Sequence, residues 1–401
     1  MKLSISLQIL FWSGFAEIVY VYLGYPILLK VGFIGRQMHF ARGKAFPSIS
    51  VIVPAHNEES TIEAKLNSLI ESEYPRELVE ILIGSDGSSD KTEDIVEQFR
   101  HEGVGLISFP KQQGKSAMQN GLVAAASGEI LVFTDADTNI RPDALRHLAE
   151  NFQDSRVGLV TSHAQYTNAT ETHVAKNESL YLRYDTWLRE RESERGILAM
   201  ASGSLFAIRR SLWHPLDPAL GDDFVLPLFV AVAGLHNVID RRVIARTHLG
   251  QDRPGSMLAM KIRIITKDLR ALLVHRECLN PIKYGALAVG LWSHKLLRWL
   301  VPYFLLTVVA SSVALSARPF FQVMVGLQLL FCGVALAGLP RRGYTPGFWS
   351  IPASFCVVNF AALIGSLKCF AGKTAGKWQP ERSRTPPLTE TSATAPFRGL
   401  K

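Results

Sequence analysis

The feature that most constrains this chain is the sorting of its apolar residues into long blocks nearly free of charge. Residues 3–29 carry one charge, Glu17, and residues 299–317, 319–340 and 343–367 carry none. Each of the last three has the roughly 20 residues a helix needs to cross a hydrocarbon layer. Buried helices of a soluble core seldom follow one another in this way with short basic joints, so the blocks are expected to span a membrane. The first is longer than a signal-peptide core and lacks a basic start beyond Lys2 and a small-residue cleavage site, which marks a retained anchor. A carboxylate at membrane depth is costly and usually faces protein or water. Glu17 is therefore either functional or close to an interface.

Lys30, Arg36, Arg42 and Lys44 follow the first block, against Lys2 before it. Positive charge favours the inner side, so the N-terminus is expected outside and residues 45–280 in the cytoplasm. Arg341 and Arg342 then also fall inside. The tail, with Lys373, Lys377, Arg382 and Arg384, should fall outside yet is basic. A surface-lying or re-entrant segment near residues 283–300 reconciles the two, and Ser293-His294-Lys295-Leu296-Leu297-Arg298-Trp299 has the basic and aromatic character of one. The net charge of +8 suits membrane lipids or an anionic substrate, and nothing calls for nucleic acid. The four cysteines, Cys278, Cys332, Cys356 and Cys369, have no paired ligand spacing, so neither a disulfide framework nor a zinc site is indicated. The expected division is an anchor and basic linker over 1–44, a catalytic-type domain over 45–280, an interfacial helix with about three spans over 281–372, and a disordered Pro/Thr/Ser-rich tail over 373–401.

Residues 45–280 alternate strand and helix patterns. Ile49 to Val53 is a β-branched run ended by Pro54, and an amphipathic stretch follows from Glu58 to Ser72. Val79 to Ile83 is a second strand, stopped by Gly84-Ser85-Asp86-Gly87, with Ser89 or Asp90 placed to cap a helix through Phe99. Val104 to Ser108, a helix over 114–126 and a strand over 129–134 complete the series. Such alternation predicts an α/β domain, a parallel sheet with helices on both faces. Ligands of such sheets lie beyond the carboxyl ends of the strands, which puts Pro54 to Glu58, Asp86 and Asp135 to Asp137 on one rim. The charged segment 172–195 has the pattern of a solvated amphipathic helix. The sequons at Asn168 and Asn177 should be silent in a cytosolic domain.

Asp135-Ala136-Asp137 follows the apolar run Ile130-Leu131-Val132-Phe133. Two carboxylates one residue apart at a strand end form either a solvated turn or a grip on a divalent cation, Mg²⁺ or Mn²⁺, with positions left for phosphate oxygens. Asp86 can accept hydrogen bonds from a nucleobase edge or a ribose hydroxyl, and Pro54-Ala55-His56-Asn57-Glu58 can share that pocket; helix capping by Asn57 and Asp90 is the plainer reading. Lys115, after Gly114 at a helix start, faces the same rim, where helix N-terminal amides favour phosphate. Asp222 and Asp223 either cap a helix or supply the base that deprotonates an acceptor hydroxyl.

Taken together, Val51-Ile52-Val53-Pro54-Ala55-His56-Asn57-Glu58, Ser85-Asp86-Gly87-Ser88-Ser89-Asp90-Lys91-Thr92, Gly114-Lys115, Thr134-Asp135-Ala136-Asp137, Gly203-Ser204 with Arg209-Arg210, and Gly221-Asp222-Asp223 resemble the membrane-bound glycosyltransferases of family 2. The resemblance covers roughly residues 47–275, in family order and spacing. It implies a GT-A fold, Rossmann-like with a mostly parallel sheet, and inverting transfer from a nucleotide sugar, usually UDP-linked, in one displacement without a covalent nucleophile. It implies that Glu58 and Asp86 bind the nucleoside, Lys115 lies near the diphosphate, Asp135 contacts nucleotide or metal, and Asp137 is the principal metal ligand. Gly203 and Ser204 would lie near the acceptor, and Asp223, second of its pair, would be the base.

Processive members carry Gln-x-x-Arg-Trp before the C-terminal spans. Here Arg263 matches the Arg, while Met260 and Ile264 stand where Gln and Trp would be. The expected activity is therefore addition of one sugar, or a few, to a lipid-linked or growing glycan at a bacterial inner membrane, with partner proteins of a glycan export assembly. The alternatives are a processive synthase and a non-catalytic nucleotide-sugar-sensing scaffold. The second has no need of Asp223.

Overall fold

The computed structural model describes residues 2–44, 46–166, 173–247, 254–338 and 350–373. The Asn168 sequon, the Arg341-Arg342 joint and the tail from residue 374 lie outside them. Helices α1 (Lys2–Val19) and α2 (Tyr25–Val31), joined by a π-helical turn, carry the first apolar block. Beyond the linker, β1 (Ile49–Ala55), β2 (Val79–Asp86), β3 (Val104–Phe109) and β4 (Ile130–Thr134) are the expected strands. They pair in parallel in the order β3-β2-β1-β4, with Ile52 opposite Leu82 on one side and Phe133 on the other. Every residue of β1 is buried, as a strand covered on both faces requires.

The sheet continues past these four. β5 (Asn139–Ile140), β6 (Val157–Tyr166), β7 (Leu205–Arg209) and β8 (His236–Thr247) extend it to eight strands in the order β3-β2-β1-β4-β7-β6-β8-β5. β7 runs antiparallel to β4, so Thr134 pairs with Leu205. That reversal sets the Ser202–Ser204 turn beside the end of β4.

Alternation along the strands divides the interior. Val51, Val53, Ile81 and Val132 face α3 (Ile62–Ile70), α4 (Thr92–Gln98) and α6 (Ala144–Asn151). Ile52, Leu131, Phe133 and Phe206 face α5 (Lys115–Ala125), α8 (Asp222–Val232) and α9 (Pro254–Val274). The second core does not stop at the domain edge. It takes in Leu291, Trp299 of α11 (Leu297–Ala314), and Ala361 and Ala362 of α13 (Ser350–Phe370). The α/β domain and the C-terminal apolar helices thus share one core.

Four helical runs are long and apolar enough to cross a membrane: Leu3–Val31, Pro281–Ala314, Pro319–Ala337 and Ile351–Phe370. The third, α12 (Pro319–Ala337), leaves Leu327, Leu329 and Leu330 outward and exposed, as a lipid-facing helix would. The second run opens with α10 (Pro281–Gly290) and passes through a π-helical turn at Leu291–Leu296. The basic groups of this stretch turn toward protein. His294 Nδ1 lies 2.7 Å from Glu192 Oε1, and Arg298 donates to Asp185 Oδ1 at 3.0 Å. Both acids belong to α7 (His173–Glu194). Tyr25 of α2 also donates to Glu192, at 2.7 Å. The helix expected to be solvated is therefore wedged between the two apolar layers, because its carboxylates have buried donors to meet.

Candidate active site

The turns after β1 and β2 are locked to each other. Asn57 sits in the left-handed region (φ 57°), which asparagine tolerates. Its amide donates to Ser88 Oγ at 3.1 Å and its Oδ1 accepts from Ser89 N at 2.8 Å. Asn57 thus ties two turns instead of capping α3, which begins at Ile62. Asp90 does act at a helix start, accepting from Thr92 N at 3.1 Å. Asp86 is fully buried. Its two oxygens accept from Gln113 N at 2.7 Å and Gly114 N at 2.8 Å, so it sets the loop that delivers Lys115. Pro54 is buried in β1 against Gly84. Glu58 is buried beside the rim and accepts from Thr61 Oγ1 at 2.7 Å. Burial lifts its pKa to about 7, with Asp137 and Asp135 adding to the rise and Thr61 opposing it.

The Asp135-Ala136-Asp137 turn is held from below and from the side. Thr134 Oγ1 donates to Ser204 O at 2.8 Å. Lys65, fully buried on α3, donates to Thr134 Oγ1 at 2.7 Å and to Thr138 O at 2.6 Å. Burial lowers the Lys65 pKa to about 7 despite the opposing pull of Asp135 and Asp137. Asp137 opens to solvent at the mouth of a crowded recess. That crowding and the neighbouring Asp135 push its pKa up.

Across the cleft, Asp222 and Asp223 open α8, where the helix dipole favours negative charge. Pro227 has no N–H to give the Asp223 carbonyl, and Ala201 N donates to it instead, at 2.8 Å. This ties Asp223 to the Ser202–Ser204 turn. Gly203 leaves room for the Asp223 carboxylate: a methyl group there would stand 3.5 Å from Oδ2. A methyl group on Gly221 would stand 3.3 Å from Asp223 Oδ1 and 2.8 Å from Oδ1 of Asp268, a buried acid of α9. Burial and the adjacent Asp222 raise the pKa of Asp223, while Lys115, Lys295 and Arg189 oppose the rise. Asp268 is raised as well, by burial and then by Asp223. Burial also works to raise Asp222, but Lys115 and Gln119, whose Nε2 donates to it at 2.7 Å, bring it below the usual carboxylate range.

Lys115 joins the two sides. Its Nζ lies 2.9 Å from Asp135 Oδ1 and 3.3 Å from Asp222 Oδ2. Burial disfavours its charge, but Asp135 and Asp222 more than offset this and raise its pKa. The structure therefore brings together Glu58, Lys115, Asp135, Asp137, Gly203, Ser204, Asp222 and Asp223. Arg263 is half-buried on α9 one turn before Lys267, whose Nζ donates to Pro218 O at 3.0 Å; Lys267 feels the charges of both Arg263 and the Asp222–Asp223 pair. Arg209 serves the fold, donating to the carbonyls of Val157 and Phe152. A 440 Å³ surface cavity lined by Glu129, Arg209, Arg210 and Ser211 lies at the opposite end of β4, away from the strand ends where such sheets bind ligands.

Sequence reasoning missed Lys65, Gln119, Asp268 and Lys295. A signal existed for three of them. Lys65 shares the apolar stripe Ile62-Leu66-Leu69, Asp268 the stripe Ile265-Leu269-Leu272, and Lys295 stands between Leu291 and Trp299 at helical spacing.

Among the described residues no three His, Cys, Asp or Glu side chains converge to hold a metal alone. Asp135 and Asp137 offer two hard oxygen donors at an open position, the partial shell that Mg²⁺ completes with water and phosphate oxygens. Burial, and then the neighbouring carboxylates, raise both Glu58 and Asp137 despite Lys65 and Lys115 acting on Asp137, and a cation there would offset that crowding of acids. The residues fit a divalent cation shared with a ligand.

Residues 50–214 match the family described as Glycosyl transferase family 2. A probable glycosyltransferase of Bacillus subtilis is 29% identical over 239 residues, covering 55% of this chain and 57% of its own. A beta-monoglucosyldiacylglycerol synthase of Trichormus variabilis is 28% identical over 217 residues, covering 52% and 45%. The chain thus spans about half the length of the curated relatives it matches. Among solved structures, a mannosyltransferase of Pyrobaculum calidifontis, in complex with GDP-Man and Mn²⁺, superposes with a TM-score of 0.68 at 22% identity, covering 93% of this chain and 99% of its own. That likeness establishes the GT-A fold.

Proposed function

We propose that this chain, a glycosyltransferase whose residues 50–214 carry a family 2 domain, moves one sugar, or a few, from a nucleoside diphosphate donor to a lipid-linked or growing glycan acceptor at a membrane. UDP is the expected nucleotide. The observation that carries this reading is the Lys115 bridge, whose ammonium meets Asp135 after β4 and Asp222 at the start of α8, the acids read here as serving donor and acceptor. The relative named for glucosyldiacylglycerol synthesis supports a lipid acceptor.

Asp135 and Asp137 would hold the Mg²⁺ or Mn²⁺ ion, which supplies charge neutralisation for the departing diphosphate. Glu58, Pro54 and the loop set by Asp86 receive the nucleoside. Asp223 takes the proton of the acceptor hydroxyl, and its raised pKa makes it a stronger base than an ordinary carboxylate. The acceptor oxygen bonds to the anomeric carbon as the bond to the diphosphate oxygen breaks. The proton ends on Asp223 and the electron pair on the diphosphate. Lys115 is placed to meet that growing charge. Attack and departure on opposite faces invert the anomeric configuration.

The four apolar helices support a membrane-integral protein, and the basic residues after the first block support a catalytic domain on the cytoplasmic side; the expected setting is a bacterial inner membrane, serving a glycan export assembly. Purified protein offered UDP- and GDP-sugars, with products read by mass spectrometry, tests the reading. A short inverted glycoside or glycolipid is expected. High-mass polymer made by this chain alone, or nucleotide binding without turnover across a broad acceptor range, would overturn it.

A further inference from the structure

Lys65 is an expensive residue to keep. It is fully buried, and burying an ammonium away from water is strongly unfavourable unless its donors are satisfied. Among the described residues its Nζ has no carboxylate in direct contact. Its acceptors are Thr134 Oγ1 and Thr138 O, the residues on either side of Asp135-Ala136-Asp137. Thr134 Oγ1 passes the constraint on by donating to Ser204 O, and Asp135 N is 3.4 Å from that same oxygen. Ser204 follows Gly203, against which the Asp223 carboxylate rests. One buried side chain therefore pins both shoulders of the donor-side turn and registers it against the acceptor-side turn.

We infer that Lys65 is a positioning residue for the divalent cation: it holds the 134–138 turn so that Asp135 and Asp137 present their oxygens to one ion. This rests on the reading that those two acids hold the cation. The clamp needs only N–H donors, which the side chain keeps in either protonation state. Leu or Met in its place would fill the apolar stripe equally well but would leave the Thr138 carbonyl without its donor and the turn free to shift. Loss of a residue that orients a metal ligand typically weakens metal affinity by about 10- to 100-fold.

The test is Mn²⁺ binding to the full-length protein in detergent, followed by the electron paramagnetic resonance signal of free Mn²⁺ with saturating UDP and, in parallel, GDP. Thermal unfolding with chelator present is measured beside it. Lys65→Met should raise the Mn²⁺ dissociation constant about 10-fold or more. Thr134→Val, which removes the acceptor, should raise it several-fold, and Thr134→Ser, which keeps the hydroxyl, should restore it. An unchanged or tighter Mn²⁺ constant in Lys65→Met, with or without a loss of thermal stability, overturns the inference. If Lys65→Met does not fold, the Thr134 pair decides: equal constants for Val and Ser reject the clamp. Failure of the unsubstituted protein to bind Mn²⁺ with either nucleotide rejects the cation site itself, a result distinct from equal binding by wild type and variant.

Discussion

The two ends of the cleft are made differently. On the proposed reading, the donor end comes wholly from the sheet and its crossovers: the turns after β1, β2 and β4, with Lys65 and Lys115 from α3 and α5. The acceptor end begins with α8 and adds Asp268 of α9 beside Gly221 and Lys295, from an apolar run long enough to span a membrane, over Phe224, while Arg189 of α7 contributes charge felt by Asp223. Phe224 belongs to this end. It is fully buried, with Lys295 Nζ 5.7 Å from its ring centroid and Trp299 at 6.0 Å. The difference teaches where specificity can reside. On the proposed assignment, a nucleoside diphosphate would meet the sheet domain alone, whereas the acceptor would meet a surface built partly by the apolar helices.

The strongest way to break the comparison is to remove the group that spans it. Lys115→Met should lower turnover by about 10²-fold or more, the usual loss when a charge-stabilising donor is deleted, measured as nucleotide release. A mere several-fold loss would mean the two ends work independently. Phe224→Ala should destabilise the protein by about 3–5 kcal/mol, with donor-side nucleotide affinity largely kept in the folded fraction; thermal unfolding and nucleotide titration check both halves. Lys295→Met removes a charge that holds the Asp223 pKa down. The acid limb of the pH–rate profile should therefore move to higher pH, and a shift to lower pH would misplace Lys295. The smallest effect is expected at Glu58. Its folded pKa of about 7 exceeds its ordinary value, so the stability it contributes is complete at low pH and falls as pH rises from about 4.5 to about 7. Glu58→Gln should match wild type near pH 4.5 and unfold at higher temperature near pH 7.5, with chelator present.

The strand-end turns of the site were legible in the sequence because each follows an apolar strand run, where strand periodicity and the strand-end rule locate it. Pro54, Asp86 and Asp135 all fell into place that way, and so did the parallel half of the sheet. The other half did not. β8 reads His236-Asn237-Val238-Ile239-Asp240-Arg241-Arg242, whose charges pair with Glu190 of α7, Glu150 of α6 and Asn151, and such a strand looks like a loop to a hydropathy pattern. Nor did Lys65, Asp268 and Lys295 stand out. Each is one charged residue on an apolar helical stripe, and only the packed structure shows that the three stripes converge on the cleft. Asn57 resembled a cap in sequence because the turn it ties lies 31 residues away.

The central claim is that Asp137 and Asp223, at opposite ends, serve one displacement. The direct test is metal-dependent nucleotide release by Asp137→Ala and Asp223→Asn beside wild type, with nucleotide binding measured on the same preparations. Asp223→Asn should bind nucleotide normally and lose turnover by about 10²- to 10⁴-fold, and Asp137→Ala should lose both turnover and metal-dependent binding. Full turnover in either variant, with the protein folded, would contradict the account.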